Sequence, residues 1–219
     1  MVVEARSSAR PNERPTRTSE LLRGFAKSLT SERVSVAEIV DALGDRGLGV
    51  LIAIFALPNI LPSTVPFGNV PTGIPVIVFA VQLLLRVPHL VLPGFIGRRT
   101  ISTSTFQALA PRVAAVLHWF ERLLQPRLAG VTRPGPEHII GVVCLVLSIM
   151  STLPIPFGHN LPALGLVLIG LGLIERDGLA IIVGSTIGLL GTLLVGLVLF
   201  GVAHGVTQFM HVHHLKHWL

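Results

Sequence analysis

Three stretches of this 219-residue chain, 47 to 85, 139 to 174 and 179 to 215, contain no Asp, Glu, Lys or Arg. A hydrocarbon slab about 30 Å thick is crossed by about 20 apolar helical residues, so each stretch is long enough to enter a bilayer. With 51% hydrophobic and 13% charged residues and a mean hydropathy of +0.74, the chain lacks the polar surface of a water-soluble globule. The soluble-enzyme class is excluded, and an all-α integral membrane protein is expected.

The first stretch cannot be one span, because LPNILPSTVPFGNVPTGIP places prolines at 58, 62, 66, 71 and 75. It is read as a re-entrant hairpin with arms of 11 residues (47 to 57) and 13 residues (73 to 85). At about 1.5 Å per residue, arms of roughly 16 to 20 Å stop short of the far side of a bilayer. The second stretch repeats the design, with arms 139 to 153 and 163 to 174 around PIPFGHNLP. Only the third, from Leu179 to about Val206, reads as a clean transmembrane helix.

The organisation that follows is a disordered tail (1 to 18), amphipathic helices (19 to 46), a first broken hairpin (47 to 85) and a basic amphipathic connector (86 to 138). A second broken hairpin (139 to 174), a transmembrane helix (175 to 206) and a His-rich tail (207 to 219) complete it. The first 18 residues hold too little apolar surface to offset ordering entropy. Leu21, Leu22, Phe25 and Leu29 share a helical face, and Ser35-x-x-Glu38 is a capping box ahead of Val36, Ile39, Val40 and Leu43. In the connector, seven arginines stand against Glu121 and Glu137. Its helix is expected to bury Phe106, Leu109, Val113, Val116, Leu117, Phe120 and Leu124 at the membrane interface, with Trp119 near the headgroups. Gln107, Pro111 and Arg112 argue against the alternative of a span from 101 to 120. An interfacial connector makes the hairpins parallel repeats and a spanning one makes them inverted. The arginine distribution puts 1 to 46 and 86 to 138 in the cytoplasm and the tail outside.

The two hairpins resemble each other in letters as well as in plan. Ser63-Thr64-Val65-Pro66 matches Ser151-Thr152-Leu153-Pro154, and Phe67-Gly68-Asn69-Val70-Pro71 matches Phe157-Gly158-His159-Asn160-Leu161-Pro162. Broken segments in corresponding positions of two halves point to a site at mid-depth, where freed backbone faces a cavity or another chain segment. The candidate midplane set is therefore Asn59, Ser63, Thr64, Asn69, Ser151, Thr152, His159 and Asn160. These groups can meet a phosphate or a sugar hydroxyl, or the amides can simply cap broken helix ends. His159 is suited to proton transfer by its chemistry, and a buried imidazole equally serves as a hydrogen bonder.

A second candidate set, for a lipid headgroup, is Asp45, Arg46, Glu175, Arg176 and Asp177, in clusters that flank the hairpins. Charged helix ends around tight Gly turns account for the same letters. His211, His213, His214 and His217 have no Cys or carboxylate nearby to complete a metal set, so no metal is expected. Cys144 alone makes no disulfide, and neither a cofactor fingerprint nor a nucleic-acid module is present. Gly184-x3-Gly188 and Gly201-x3-Gly205 are spaced for close helix approach, within the chain or in a homo-oligomer.

Ala42-Leu43-Gly44-Asp45-Arg46-Gly47, Ala56-Leu57-Pro58-Asn59-Ile60-Leu61-Pro62 and Asn160-Leu161-Pro162-Ala163, followed by Gly172-Leu173-Ile174-Glu175-Arg176-Asp177-Gly178, resemble the bacterial ExoD family over roughly residues 30 to 205. The resemblance implies a multi-pass protein of the bacterial inner membrane linked to exopolysaccharide synthesis, and brings no catalytic mechanism with it. Three functions fit: transport or flipping of a lipid-linked or polyanionic intermediate, an enzyme acting on a lipid phosphate through His159 with Arg46 and Arg176, or a membrane scaffold for the synthesis machinery.

Overall fold

Proline stops a helix where its missing N–H is needed, yet it is accepted in a first turn, where the N–H has no partner anyway. That distinction sets the length of the hairpin arms in the computed structural model, which describes residues 18–61, 68–87, 90–92, 94–124, 137–155 and 158–216. Helix α4 spans Val70–Leu85, taking Pro71 into its first turn and Pro75 just beyond it, and α8 spans Asn160–Glu175 with Pro162 in its first turn. Each therefore has 16 residues rather than the 13 and 12 expected from sequence. Helix α3, Gly47–Ala56, runs into a 3-10 turn at Leu57–Ile60, and α7 covers Glu137–Thr152. Sixteen residues reach about 24 Å, still less than a bilayer's hydrocarbon core of about 30 Å.

These helices and α9, Gly178–Lys216, make one of two compact units, residues 46–93 with 124–219. Within it, α3 packs on α8 and α4 on α7, so each hairpin lays its first arm against the second arm of the other. Gly49 near the start of α3 faces Gly170 near the end of α8, and Gly141 near the start of α7 faces Leu84 near the end of α4. The four arm ends at the two mouths lie at one end, the two tips at the other, and both hairpins point the same way. Arg86 and Arg176 end α4 and α8 in the same left-handed conformation, φ 51° and 54°. Phe79, Ile52, Leu147, Leu166, Ile169 and Ile181 fill the interior. Helix α9 runs from the mouths along α8, where Gly184 and Gly188 meet Gly165, and passes the tips where Gly191 meets Leu161 and Gly158 meets Val195. Its segment Gly178–His204 is the described helix long and apolar enough to cross a membrane.

The other unit, residues 1–45 with 94–123, joins segments that the sequence reading kept apart. Helix α1 (Thr18–Ser28), strand β1 (Arg33–Ser35) and α2 (Val36–Leu43) associate with α5 (Gly94–Gly97), strand β2 (Thr100–Ser102) and α6 (Thr103–Leu123). The two three-residue strands pair antiparallel, Val34 opposite Ile101, and are the described exception to an all-helical chain. Leu22 and Ala26 of α1 pack with Val34 against Phe106, Ala110 and Ala114 of α6. Of the apolar stripe expected at a membrane interface, Phe106 lies in this core, whereas Leu109 and Val113 are 44% and 42% exposed. Alanines let α1 approach closely, and Gln107 Nε2 on the same helix donates to the Ala26 carbonyl at 2.9 Å.

The capping box at α2 is present in full: Ser35 N–H donates to Glu38 Oε2 at 2.7 Å, and the Glu38 N–H donates to Ser35 Oγ at 3.2 Å. The backbone and then the hydroxyl of Ser35 hold the Glu38 carboxyl below its ordinary range. A lowered folded-state pKa stabilises at pH above the unfolded value, about 4.3, and that contribution is lost as pH falls through the folded value. Hydrogen-exchange protection of the first turn of α2 is therefore expected to drop on acidification below about pH 4. Ser35→Ala should flatten that profile, and an unchanged profile would remove the box from the stability of α2.

Candidate functional site

Each hairpin tip exposes main-chain carbonyls where its first arm ends and needs donors where water is excluded. Asn69 and His159 precede α4 and α8, yet neither side chain caps its own helix. The asparagines instead reach across. Asn69 Nδ2 donates to the Ser151 and Leu153 carbonyls at 2.7 and 3.2 Å, while Asn160 Nδ2 donates to the Ile60 carbonyl at 2.8 Å. Ile60 stands as far before Asn69 as Ser151 stands before Asn160, so the exchange is reciprocal. The tips are tied by capping each other's broken first arms.

Asn59 extends the network, donating from Nδ2 to Ser151 Oγ at 3.3 Å and accepting at Oδ1 from Thr72 Oγ1 at 2.5 Å. His159 is buried with Nδ1 3.2 Å from the Ile155 carbonyl and Nε2 3.4 Å from the Leu61 carbonyl. Thr152 donates back to Ser148 O of its own helix at 2.6 Å and lies against Gly73. Ser63 and Thr64 lie outside the described residues. Among the described residues, Asn160 Oδ1 is the buried side-chain polar atom left without a partner. Thr72 was not singled out from sequence, although Asn69-x-x-Thr72 at a helix start was a legible signal, and Thr72 Oγ1 also donates to Asn69 O at 3.1 Å. Gln82, also passed over, clamps Val91 near the mouth, donating to its carbonyl at 2.8 Å and accepting its N–H at 2.7 Å.

The headgroup candidates stand at the opposite end of the hairpins. Asp177 is buried and its Oδ1 accepts the Leu179 and Ala180 N–H groups at 2.9 and 3.3 Å, which makes it the cap of α9. Arg46 precedes α3, Glu175 ends α8 and Arg176 follows it, while the side chain of Asp45 lies outside the described residues. Arg86, absent from the sequence-based set, pairs with Glu137 at 3.4 Å at the same mouth end. His159 and Arg176 bracket the whole of α8, about 24 Å of helix, so they do not act on one phosphate. Among the described residues no three His, Cys, Asp or Glu gather as a metal site. His211, His213 and His214 fall on the last turns of α9, and His217 lies outside the described residues.

The family model described as "Exopolysaccharide synthesis, ExoD" matches residues 18–197. An uncharacterized protein of Synechocystis sp. is 30% identical over 207 residues, covering 92% of this chain and 95% of the relative. Protein ExoD of Rhizobium meliloti is 26% identical over 200 residues, covering 87% and 82%. No solved structure gives a significant match. With residues 18–197 matched by the family model, the chain belongs to the ExoD family of exopolysaccharide synthesis proteins.

Proposed function

We propose that this chain is an integral protein of the bacterial inner membrane that supports exopolysaccharide synthesis by moving a lipid-linked or polyanionic saccharide intermediate. In this reading α9 crosses the bilayer and two related hairpins enter it from the arginine-rich side as parallel repeats. The relative positions of the helices support re-entry: the tips end beside Val195, whereas the apolar part of α9 continues to His204. Nine further residues are about 13 Å of helix, a margin that supports tips ending inside the apolar layer.

The observation that carries a ligand role is Asn160 Oδ1. A buried acceptor with no donor costs about 1 to 3 kcal/mol, and a sugar hydroxyl is a donor of the right kind. The mouth arginines suit the phosphate of a lipid-linked carrier. The enzyme alternative loses support because His159 and Arg176 lie at opposite ends of α8. The scaffold alternative uses the amphipathic segments 19 to 43 and 105 to 125; the apolar face of α1 is packed on α6, and Leu109 and Val113 of α6 are exposed surface that supports this second reading.

The test is exopolysaccharide output in cells carrying Asn160→Leu. The variant is expected to insert at the normal level and to lose output. Normal output from an inserted variant would remove the hairpin junction from the function.

A further inference from the structure

The geometry points to His159 as a proton-binding site that ties the two hairpin tips together, which makes the proton the coupling ion of the movement proposed above and rests on that reading. Both ring nitrogens face carbonyl oxygens, Nδ1 that of Ile155 in its own hairpin and Nε2 that of Leu61 in the other. A carbonyl only accepts, and a neutral imidazole has one N–H to donate. Either neutral tautomer leaves one ring lone pair directed at a carbonyl oxygen, and the imidazolium satisfies both. One proton therefore adds one hydrogen bond, and whichever tautomer it starts from, the product links Ile155 to Leu61 across the junction.

The surroundings leave this cation to the backbone. No Asp, Glu, Lys or Arg occurs in 47 to 85, 139 to 174 or 179 to 215, the segments that hold α3, α4 and all but the ends of α7, α8 and α9. The other titratable groups on those helices are Glu137, His138 and Cys144 of α7, Glu175 of α8, and Lys216 and the histidines of α9 from His204 onward, with Glu137 and Glu175 at the mouth. His138 is at the mouth, where Nδ1 lies 2.8 Å from the Leu84 carbonyl. The carbonyl ends of α7 and of the 3-10 turn at Leu57–Ile60 and the N-terminus of α8 converge on the tip. With the proton bound, the Nε2–H ties the second tip to the first at Leu61. On its loss the neutral ring keeps its N–H at Nδ1, the shorter contact, to Ile155 of its own hairpin, so the tie to Leu61 is lost and the junction loosens.

The test uses the full chain in liposomes with Cys144→Ser and spin labels at Leu61→Cys and Leu153→Cys, residues 68% and 39% exposed. The ties use main-chain oxygens, so these side-chain changes leave them in place. Between about pH 5 and pH 8 the ratio of short to long label distances is expected to fall about fivefold, the equilibrium effect of one hydrogen bond. His159→Gln, or His159→Asn if the first variant misfolds, should abolish the pH response, and His138→Gln should retain it. A distance distribution that ignores pH in the unsubstituted protein overturns the proposal, as does a response that persists without His159. Because no polysaccharide is involved, this failure is separate from that of the Asn160→Leu output test.

Discussion

Gly170→Val is expected to prevent α3 and α8 from docking and to leave the protein aggregated in detergent, while Gly196→Ala leaves it folded and slightly more stable. A Cβ on Gly170 would stand 2.8 Å from the Gly49 carbonyl oxygen and 2.9 Å from the Ala53 nitrogen; one on Gly49 would stand 2.7 Å from the Gly170 carbonyl oxygen. Main-chain atoms of a helix cannot rotate aside as a side-chain tip can, so the helix axes must part. Overpacking of this kind costs about 1 to 3 kcal/mol for a small group, and Gly170→Ala is expected in that range. Valine adds two more carbons at the same point and is restricted in χ1, so its cost approaches the whole stability of an ordinary domain, about 5 to 15 kcal/mol. Gly196 has nothing within 4 Å, and there alanine gains about 0.5 to 1 kcal/mol through helix propensity. Size-exclusion profiles and unfolding midpoints of the three variants check this. A monodisperse Gly170→Val protein with an unshifted midpoint would mean that the two helices are farther apart than the glycine contact requires.

That crossing shows where sequence reading reaches and where it stops. The charge-free stretches, the breaks at the proline clusters and the capping box of α2 were legible because each is a local property: composition, missing N–H groups, a three-residue spacing. The arm lengths were underestimated because Pro71 and Pro162 were counted as breakers, when a first turn accepts them. The packing of α6 on α1 was not legible for another reason. Hydrophobicity ranks Leu109 and Val113 above Ala110 and Ala114, but the partner's distance decides burial, and only the alanines permit the approach of α1. Likewise the asparagines at the tips stood out as polar residues in apolar sequence. Their partners did not, since nothing local says that Asn69 serves Ser151 in the other hairpin rather than its own helix. The split of the candidates into a tip set and a mouth set is also a property of the folded arms alone.

The reciprocal asparagine ties predict an inequality that a merely polar tip would not. Asn69→Leu strips the donor from the Ser151 carbonyl in a buried setting, while the Leu153 carbonyl keeps the Ile155 N–H at 2.8 Å. One group left unmet costs about 1 to 3 kcal/mol. Asn160→Leu also orphans a carbonyl, that of Ile60, but it removes the unpartnered Asn160 Oδ1 at the same time. One penalty appears as an equal one disappears, so the net change is expected within about 1 kcal/mol of zero. For a chain of this size about 1 kcal/mol moves a thermal midpoint by roughly 2 to 4 °C, so Asn69→Leu should unfold about 2 to 12 °C below the unsubstituted protein and Asn160→Leu close to it. Two residues that correspond in the repeated motif would then differ sharply in stability, and the quieter one, Asn160, would be the one free to serve a ligand. If Asn160→Leu proves the more damaging change, its Oδ1 has a structural partner, and the acceptor on which the ligand reading rests is already in use.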